Sequence, residues 1–245
     1  MFLLKNKLNI LMFVSLLFIF ACDDDEKKDD SPDVGIVSCE IAGIIYDNEN
    51  IELGDTLDLS DFELTELPSC IGNLSNLNYL EIWNNKLTSL PESIGNLSNL
   101  LELWLVRNEL TSLHQRISDL SNLELLNLTE NNLTSLPDSI GKLKSLDIFG
   151  LANNNLTELP ESIGDLSNLQ ILYLQGNTLI VLPESTGNLS ALTYLNLKEN
   201  TLTSLPESIK YLKDNLLELD LSFNNFSEAE KAKVESWLPN TEISW

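Results

Sequence analysis

The sequence predicts an α/β solenoid, in which each unit adds one strand to a parallel sheet and one short helical turn to the opposite side. Three observations lead there. A 23-residue pattern recurs in register from about Leu57 to Phe226; one stretch of each copy alternates apolar and polar residues; another runs from a proline to a glycine. A unit of this kind cannot bury its apolar side alone, so successive copies stack and share one continuous core.

The clearest copy, Leu77 to Asn99, reads LNYLEIWNNKLTSLPESIGNLSN. Copies starting at Leu100, Leu123, Leu146, Leu169 and Leu192 follow without a gap. A degenerate copy precedes them, with Phe62 where the others carry asparagine, and a partial one follows the inserted Asn215.

Each part of the copy has its own reason. In Leu80-Glu81-Ile82 the period of two turns Leu80 and Ile82 inward and Tyr79, Glu81 and Trp83 outward, which is a strand. At the ninth position stand Asn85, Asn108, Asn131, Asn154, Asn177, Asn200 and Asn224. Their amides are placed to satisfy backbone groups exposed where the chain leaves the strand, because an unpaired backbone group inside is costly. Pro91-Glu92-Ser93-Ile94-Gly95 then sets proline at the start of a short helical turn and glycine at its end. Ile94 and Leu97 face the core, and Glu92, Asp138, Glu161, Glu184 and Glu207 form an acidic row outside.

Both ends need covers. Ser227 to Glu230 is a capping box that opens a helix, with Val234, Trp237 and Leu238 at core spacing. Pro239 stops it, and Thr241 to Trp245 alternates like one more strand. Before the first copy, the short apolar runs of Ile41, Ile44, Ile45 and Tyr46 are expected to lie over it.

The consensus LxxLxLxxNxLTxLPxSIGNLSN resembles the leucine-rich repeat, in its 23-residue form with LPxxIxxLxxL in the second half. The resemblance implies a right-handed arc with the sheet on its concave side, the helical turns on its convex side and a helix-strand cap at the C-terminal end. It also implies a non-enzymatic module that binds a protein or peptide on the concave sheet.

The N-terminus carries Lys5 and Lys7, then an apolar run from Ile10 to Ala21 that is shorter than an ordinary membrane span. Ile19-Phe20-Ala21-Cys22 resembles the lipobox of a bacterial lipoprotein signal, which implies removal of residues 1–21 and acylation of Cys22. Acyl chains bury methylenes at roughly 0.8 kcal/mol each, so several hold firmly. An uncleaved anchor, or ordinary cleavage near Ala21, is the other reading. From Asp23 to Pro32 no residue is apolar, so the stretch is a solvated tether. It resembles the acidic export signal of Bacteroidetes-type surface lipoproteins, whereas in enteric bacteria an Asp after the lipidated Cys accompanies retention at the inner membrane. The expected organisation is a leader over 1–21, a tether over 22–33, an N-terminal cap over 34–56, repeats over 57–226 and a C-terminal cap over 227–245. The expected address is the bacterial envelope, lipid-anchored and facing outward at the outer membrane, as a monomer that meets the membrane only through its lipid.

A formal charge of −24 disfavours nucleic acid and anionic membrane as partners, and no basic patch or phosphate loop offsets it. Its plain reading is solubility. Cys39 and Cys70 either form a bond that staples the N-terminal cap to the first repeat or remain two separate thiols. His114 is the sole histidine, it replaces a repeat proline, and no nucleophile or metal partner accompanies it in register. Neither an enzyme nor a cofactor or metal is expected.

Function is therefore sought where the copies differ, on the outward strand positions. Trp83, Trp104, Val106 and Tyr79 cluster on two adjacent strands about 4.8 Å apart. Leu125, Ile148, Ile171 and Tyr194 form a second apolar track beside Tyr173. The aliphatics of that track are expected to be half-covered, whereas exposed tryptophan and tyrosine together mark binding surfaces. The candidate site is Tyr79, Glu81, Trp83, Glu102, Trp104, Val106, Arg107, Tyr173 and Tyr194, with the tryptophans as anchors and Glu81, Glu102 and Arg107 as polar rim. A glycan-binding face using the same rings, and a structural envelope protein that self-associates, are the alternatives.

Overall fold

The computed structural model describes residues 38–47, 51 and 54–245. The leader, Cys22 and the acidic tether lie outside the described residues, and the unit Ile36–Trp245 holds the repeats, residues 227–245 and the part of the expected N-terminal cap from residue 36 on. Among the described residues no helix is long and apolar enough to cross a membrane.

A short antiparallel hairpin, β1 (Ser38–Ile41) and β2 (Ile44–Asp47), comes first. One parallel sheet then takes nine strands in chain order: β3 (Asp55–Asp58), β4 (Leu77–Glu81), β5 (Glu102–Trp104), β6 (Leu125–Asn127), β7 (Ile148–Gly150), β8 (Ile171–Tyr173), β9 (Tyr194–Asn196), β10 (Glu218–Asp220) and β11 (Glu242–Ser244). The architecture is a leucine-rich-repeat solenoid arc. Register follows the repeat: Leu80 pairs with Leu103, Leu103 with Leu126, Leu126 with Phe149 and Phe149 with Leu172. That row and the next inward one, Leu59, Ile82, Leu105, Leu128, Leu151 and Leu174, are buried throughout. Each such side chain stabilises the stack by roughly 1.5–3 kcal/mol relative to exposure.

The ninth-position asparagines form the ladder that the sequence predicts. Asn131 donates to the carbonyls of Leu105 and Leu128 at 2.9 and 3.0 Å and accepts from the Leu110 N–H at 3.0 Å, so one amide ties two repeats. Asn108, Asn154, Asn177, Asn200 and Asn224 repeat the arrangement. A second ladder runs on the far side of the strands, where Asn76, Asn99, Asn122, Asn168 and Asn215 donate to carbonyls about one repeat earlier.

The residue just before the ninth-position asparagine takes a left-handed backbone in every full copy: Asn84, Arg107, Glu130, Asn153, Gly176 and Glu199. This conformation suits glycine and asparagine, and costs a longer side chain about 1 kcal/mol.

Single 3-10 turns return the chain on the convex side, as at Glu92–Asn96, Glu161–Asp165 and Glu184–Asn188. Proline occupies the N-cap of most of them with extended backbone. His114 fills that place in the third, where its Nδ1 accepts the Arg116 N–H at 3.2 Å. The glycine does not end the turn: Gly95 lies inside Glu92–Asn96, and Leu97 is the C-cap. Its reason is the neighbouring repeat. A Cβ on Gly95 would meet the Arg116 carbonyl oxygen at 2.3 Å, and one on Gly164 would meet that of Ser185 at 2.2 Å. Ser118 occupies this slot in the third copy, bonding Ser139 Oγ at 2.6 Å, and the next turn is cut to Ile140–Lys142. Lys210 occupies it in the last full copy, after which no further 3-10 turn stacks.

At the C-terminal end α1 (Glu228–Trp237) starts where Ser227 Oγ accepts the Glu230 N–H, and buries Val234. β11 then pairs in parallel with β10. At the other end Cys39, buried on β1, is bonded to Cys70 in the first 3-10 turn, Ser69–Asn73. Ile41 is buried beside it, but Ile45 is 63% exposed, because successive strand residues face opposite sides and Ile45 pairs with the exposed Glu40 on the outer one.

Candidate partner-binding face

Three rows of side chains stand on the open face of the sheet. The first holds Thr56, Tyr79, Glu102, Leu125, Ile148, Ile171 and Tyr194; the second holds Asp58, Glu81, Trp104, Asn127, Gly150, Tyr173 and Asn196. The third, just past the strands, holds Ser60, Trp83, Val106, Thr129, Ala152, Gln175 and Lys198. Parallel pairing thus sets Glu81 beside Trp104 and Tyr79 beside Glu102.

The structure brings Tyr79, Glu81, Glu102 and Trp104 together on β4 and β5, with Trp83 and Val106 just past the strand ends. Trp83 is 38% exposed, and the others are half-buried. Trp104 Nε1 donates to Glu102 Oε2 at 2.9 Å, and Trp83 Nε1 donates to Glu81 Oε2 at 3.4 Å. The indoles are therefore polar-satisfied within their own strands and offer a partner their ring surface.

Arg107 is at the margin of this patch, left-handed and exposed, with Nε 2.8 Å from Glu130 Oε2. The hydrogen bond to Glu130 and its charge raise the guanidinium pKa further above its ordinary value. It is a partnered edge residue and not a free rim cation. At the other margin Tyr46 has its hydroxyl pKa pushed up, by burial first and by the charge of Asp58 second.

Tyr173 and Tyr194 form a separate pair, with ring centroids 5.5 Å apart. Between the two aromatic groups the second and third rows carry small residues at Gly150 and Ala152. Gly150 and Ala152 are buried, and a Cβ on Gly150 would meet Asn127 Oδ1 at 2.5 Å. Leu125, Ile148 and Ile171 are half-covered, as expected of that track.

Sequence reasoning passed over Phe223, which is 72% exposed with Lys198 Nζ 5.1 Å from its ring centre. Its signal was present: it is the one aromatic residue at the left-handed position before a ladder asparagine. A hollow of about 450 Å³ lies off this face, lined by Glu124, Ser145, Asp147, Asn168, Gln170 and Ala191. Among the described residues no group of His, Cys, Asp and Glu is arranged to hold a metal ion.

Comparison with known proteins gives a consistent picture. A family model described as a leucine-rich repeat region matches residues 138–235, and a second, described as a leucine rich repeat, matches 75–133 and 98–156. No curated protein matches. Among solved structures, an internalin from Listeria monocytogenes is similar over 84% of this chain and 64% of its own, at 21% identity and a TM-score of 0.61. The plant peptide hormone receptor RGFR1, solved in complex with RGF2, is similar over 66% of this chain at 34% identity and a TM-score of 0.53. This chain spans only 31% of that receptor.

Proposed function

Starting from a chain that is a leucine-rich repeat protein, of a family whose domains commonly mediate protein–protein interaction, we propose that it binds a protein or peptide on its concave sheet. One observation carries the reading: Trp83, Trp104 and Tyr79 lie on the open face of β4 and β5 and just past β4, outside the buried core and the side chains packed against it. Tryptophan and tyrosine anchors carry much of the energy of protein interfaces. The plant receptor, similar over 66% of this chain, is a peptide hormone receptor, which supports a polypeptide ligand here. Tyr173 and Tyr194 supply a second aromatic contact along the same face.

The module is held at a bacterial envelope by lipid on Cys22, with residues 22–33 as its tether, and acts as an outward-facing monomer. The charge of the leader, the length of its apolar run and the cysteine that follows support this address. External protease on intact cells tests it: digestion of the repeat domain in wild type, and its protection or release in Cys22→Ala, is the expected outcome.

The binding face is tested by selecting displayed peptides against the purified chain and measuring them on Trp83→Ala with Trp104→Ala. A loss of roughly 30-fold or more is expected, the scale of two hot-spot residues. Unchanged binding contradicts the reading. Quenching of tryptophan fluorescence by oligosaccharides, with no peptide recovered, favours a glycan ligand instead.

A further inference from the structure

We infer that the concave face of β3 to β5 takes an extended cationic segment of a partner protein, whose arginine or lysine side chains sit between a carboxylate and a neighbouring indole. This rests on the concave sheet being the binding face.

The charges on the patch are all of one sign. Asp58, Glu81 and Glu102 stand on three consecutive strands, and among the described residues none of them makes an ion pair. The nearby cations are committed elsewhere, Arg107 to Glu130 and Lys86 to Glu63. A partner that covers this patch without supplying positive charge strips water from carboxylates and returns nothing.

The detailed chemistry narrows the partner further. One oxygen of Glu81 and one of Glu102 hold the indole N–H groups of Trp83 and Trp104. The second oxygen of each, Oε1, accepts no hydrogen bond among the described residues. Each strand thus presents a free carboxylate oxygen beside an aromatic ring. A guanidinium satisfies both at once, pairing with the oxygen and stacking on the ring, and an ammonium does so as a point charge.

Glu81 and Glu102 sit on adjacent strands and one pleat period apart, a diagonal of about 8 Å from the standard strand spacing and rise. Alternate residues of an extended chain are roughly 7 Å apart and project to the same side, so basic residues at alternate positions fit the two carboxylates.

Fluorescence anisotropy with the purified full chain tests the inference. The probes are a short labelled peptide alternating arginine and leucine, and its counterparts with glutamine or glutamate replacing arginine. The arginine peptide is expected to bind at least tenfold more tightly than the glutamine peptide, to weaken as salt rises, and to lose at least tenfold on Glu81→Gln with Glu102→Gln. Glutamine still accepts the indole N–H, so the rings stay in place. Glu109→Gln with Glu158→Gln removes the same charge from exposed positions off the sheet and is expected to leave binding unchanged.

Equal binding of the arginine and glutamine peptides overturns the inference, as does no loss in the Glu81/Glu102 variant or an equal loss in the Glu109/Glu158 variant. A selected peptide that needs Trp83 and Trp104 but ignores Glu81→Gln and Glu102→Gln overturns the cationic segment alone and leaves the binding face standing. Indifference to both pairs of substitutions refutes both.

Discussion

Leu80, Leu103, Leu126, Phe149, Leu172 and Leu195 form one row of the sheet, are buried to within 1%, and differ at a single position. One residue further along the same strands, Glu81, Trp104, Asn127, Gly150, Tyr173 and Asn196 form a row with only asparagine occurring twice. The backbone carrying the two rows is the same. The inner row must fit copies of itself above and below, so each unit is held to one solution. The outer row lies on the open face, where only Gly150 is held to one residue by its neighbours. Side-chain variety on this sheet is therefore a map of where the molecule is free to meet something else.

Substitutions on the two sides are expected to separate accordingly. The largest effect falls on the ladder: Asn131→Leu leaves the Leu110 N–H without a partner in the interior and takes one of two asparagine donors from each of the Leu105 and Leu128 carbonyls, which keep Asn108 and Asn154. At about 1–3 kcal/mol for the unpaired N–H and about 0.5–1.5 kcal/mol for each hydrogen bond lost at the two carbonyls, the loss is roughly 4 kcal/mol, read as the urea midpoint. A loss under about 1 kcal/mol breaks the comparison at its root.

Next comes the staple. Cys39→Ser with Cys70→Ser releases a loop 31 residues long, with a loss of about 3–4 kcal/mol on the loop-entropy account, concentrated in the first repeat. Hydrogen exchange is expected to speed up at β1, β3 and the first turn and to leave β8 to β10 as before. Uniform acceleration along the solenoid would mean that the cap governs the whole stack.

The glycine slot gives a smaller and sharper test. Gly164→Ala forces a Cβ against the Ser185 carbonyl and is expected to cost about 1–3 kcal/mol. Lys210, in the same slot but with no following 3-10 turn, already carries a Cβ, so Lys210→Gly relieves no clash and is expected not to stabilise the chain. A cost under about 0.5 kcal/mol for Gly164→Ala would show that the neighbouring turn does not select glycine.

The smallest change in stability is expected on the open face. Trp83→Ala is predicted to move the urea midpoint by an amount equivalent to about 0.5 kcal/mol or less, since 38% of the residue is exposed and it lies outside the buried core. A large loss would return Trp83 to the fold and weaken its assignment to binding.

The same contrast separates the features legible in the sequence from those that were not. Leucine spacing, the ninth-position asparagine and the capping box at Ser227 each answer to a local or nearest-neighbour rule that a sequence displays directly. The glycine of the convex turn was legible as a residue but not in its role, because the atom that forbids a side chain belongs to the following repeat. The second asparagine ladder was hidden for the same reason, its acceptors being carbonyls about a repeat away. The ion pair of Arg107 with Glu130 was not legible, because only the approach of neighbouring left-handed positions brings the two together. The tryptophan patch was visible as composition on alternating positions. Its coupling to Glu81 and Glu102 required side-chain conformations.

The inner rows make the fold, and the outer rows of β3 to β5 are where we propose the contact is made. Hydroxyl-radical footprinting of the full chain, alone and saturated with a selected peptide, tests this division most directly. The account predicts that oxidation of Trp83 and Trp104 falls on binding while that of the exposed Tyr211, beside Lys210 on the last 3-10 turn, stays constant. Protection of Tyr211 with Trp83 and Trp104 unchanged would contradict it.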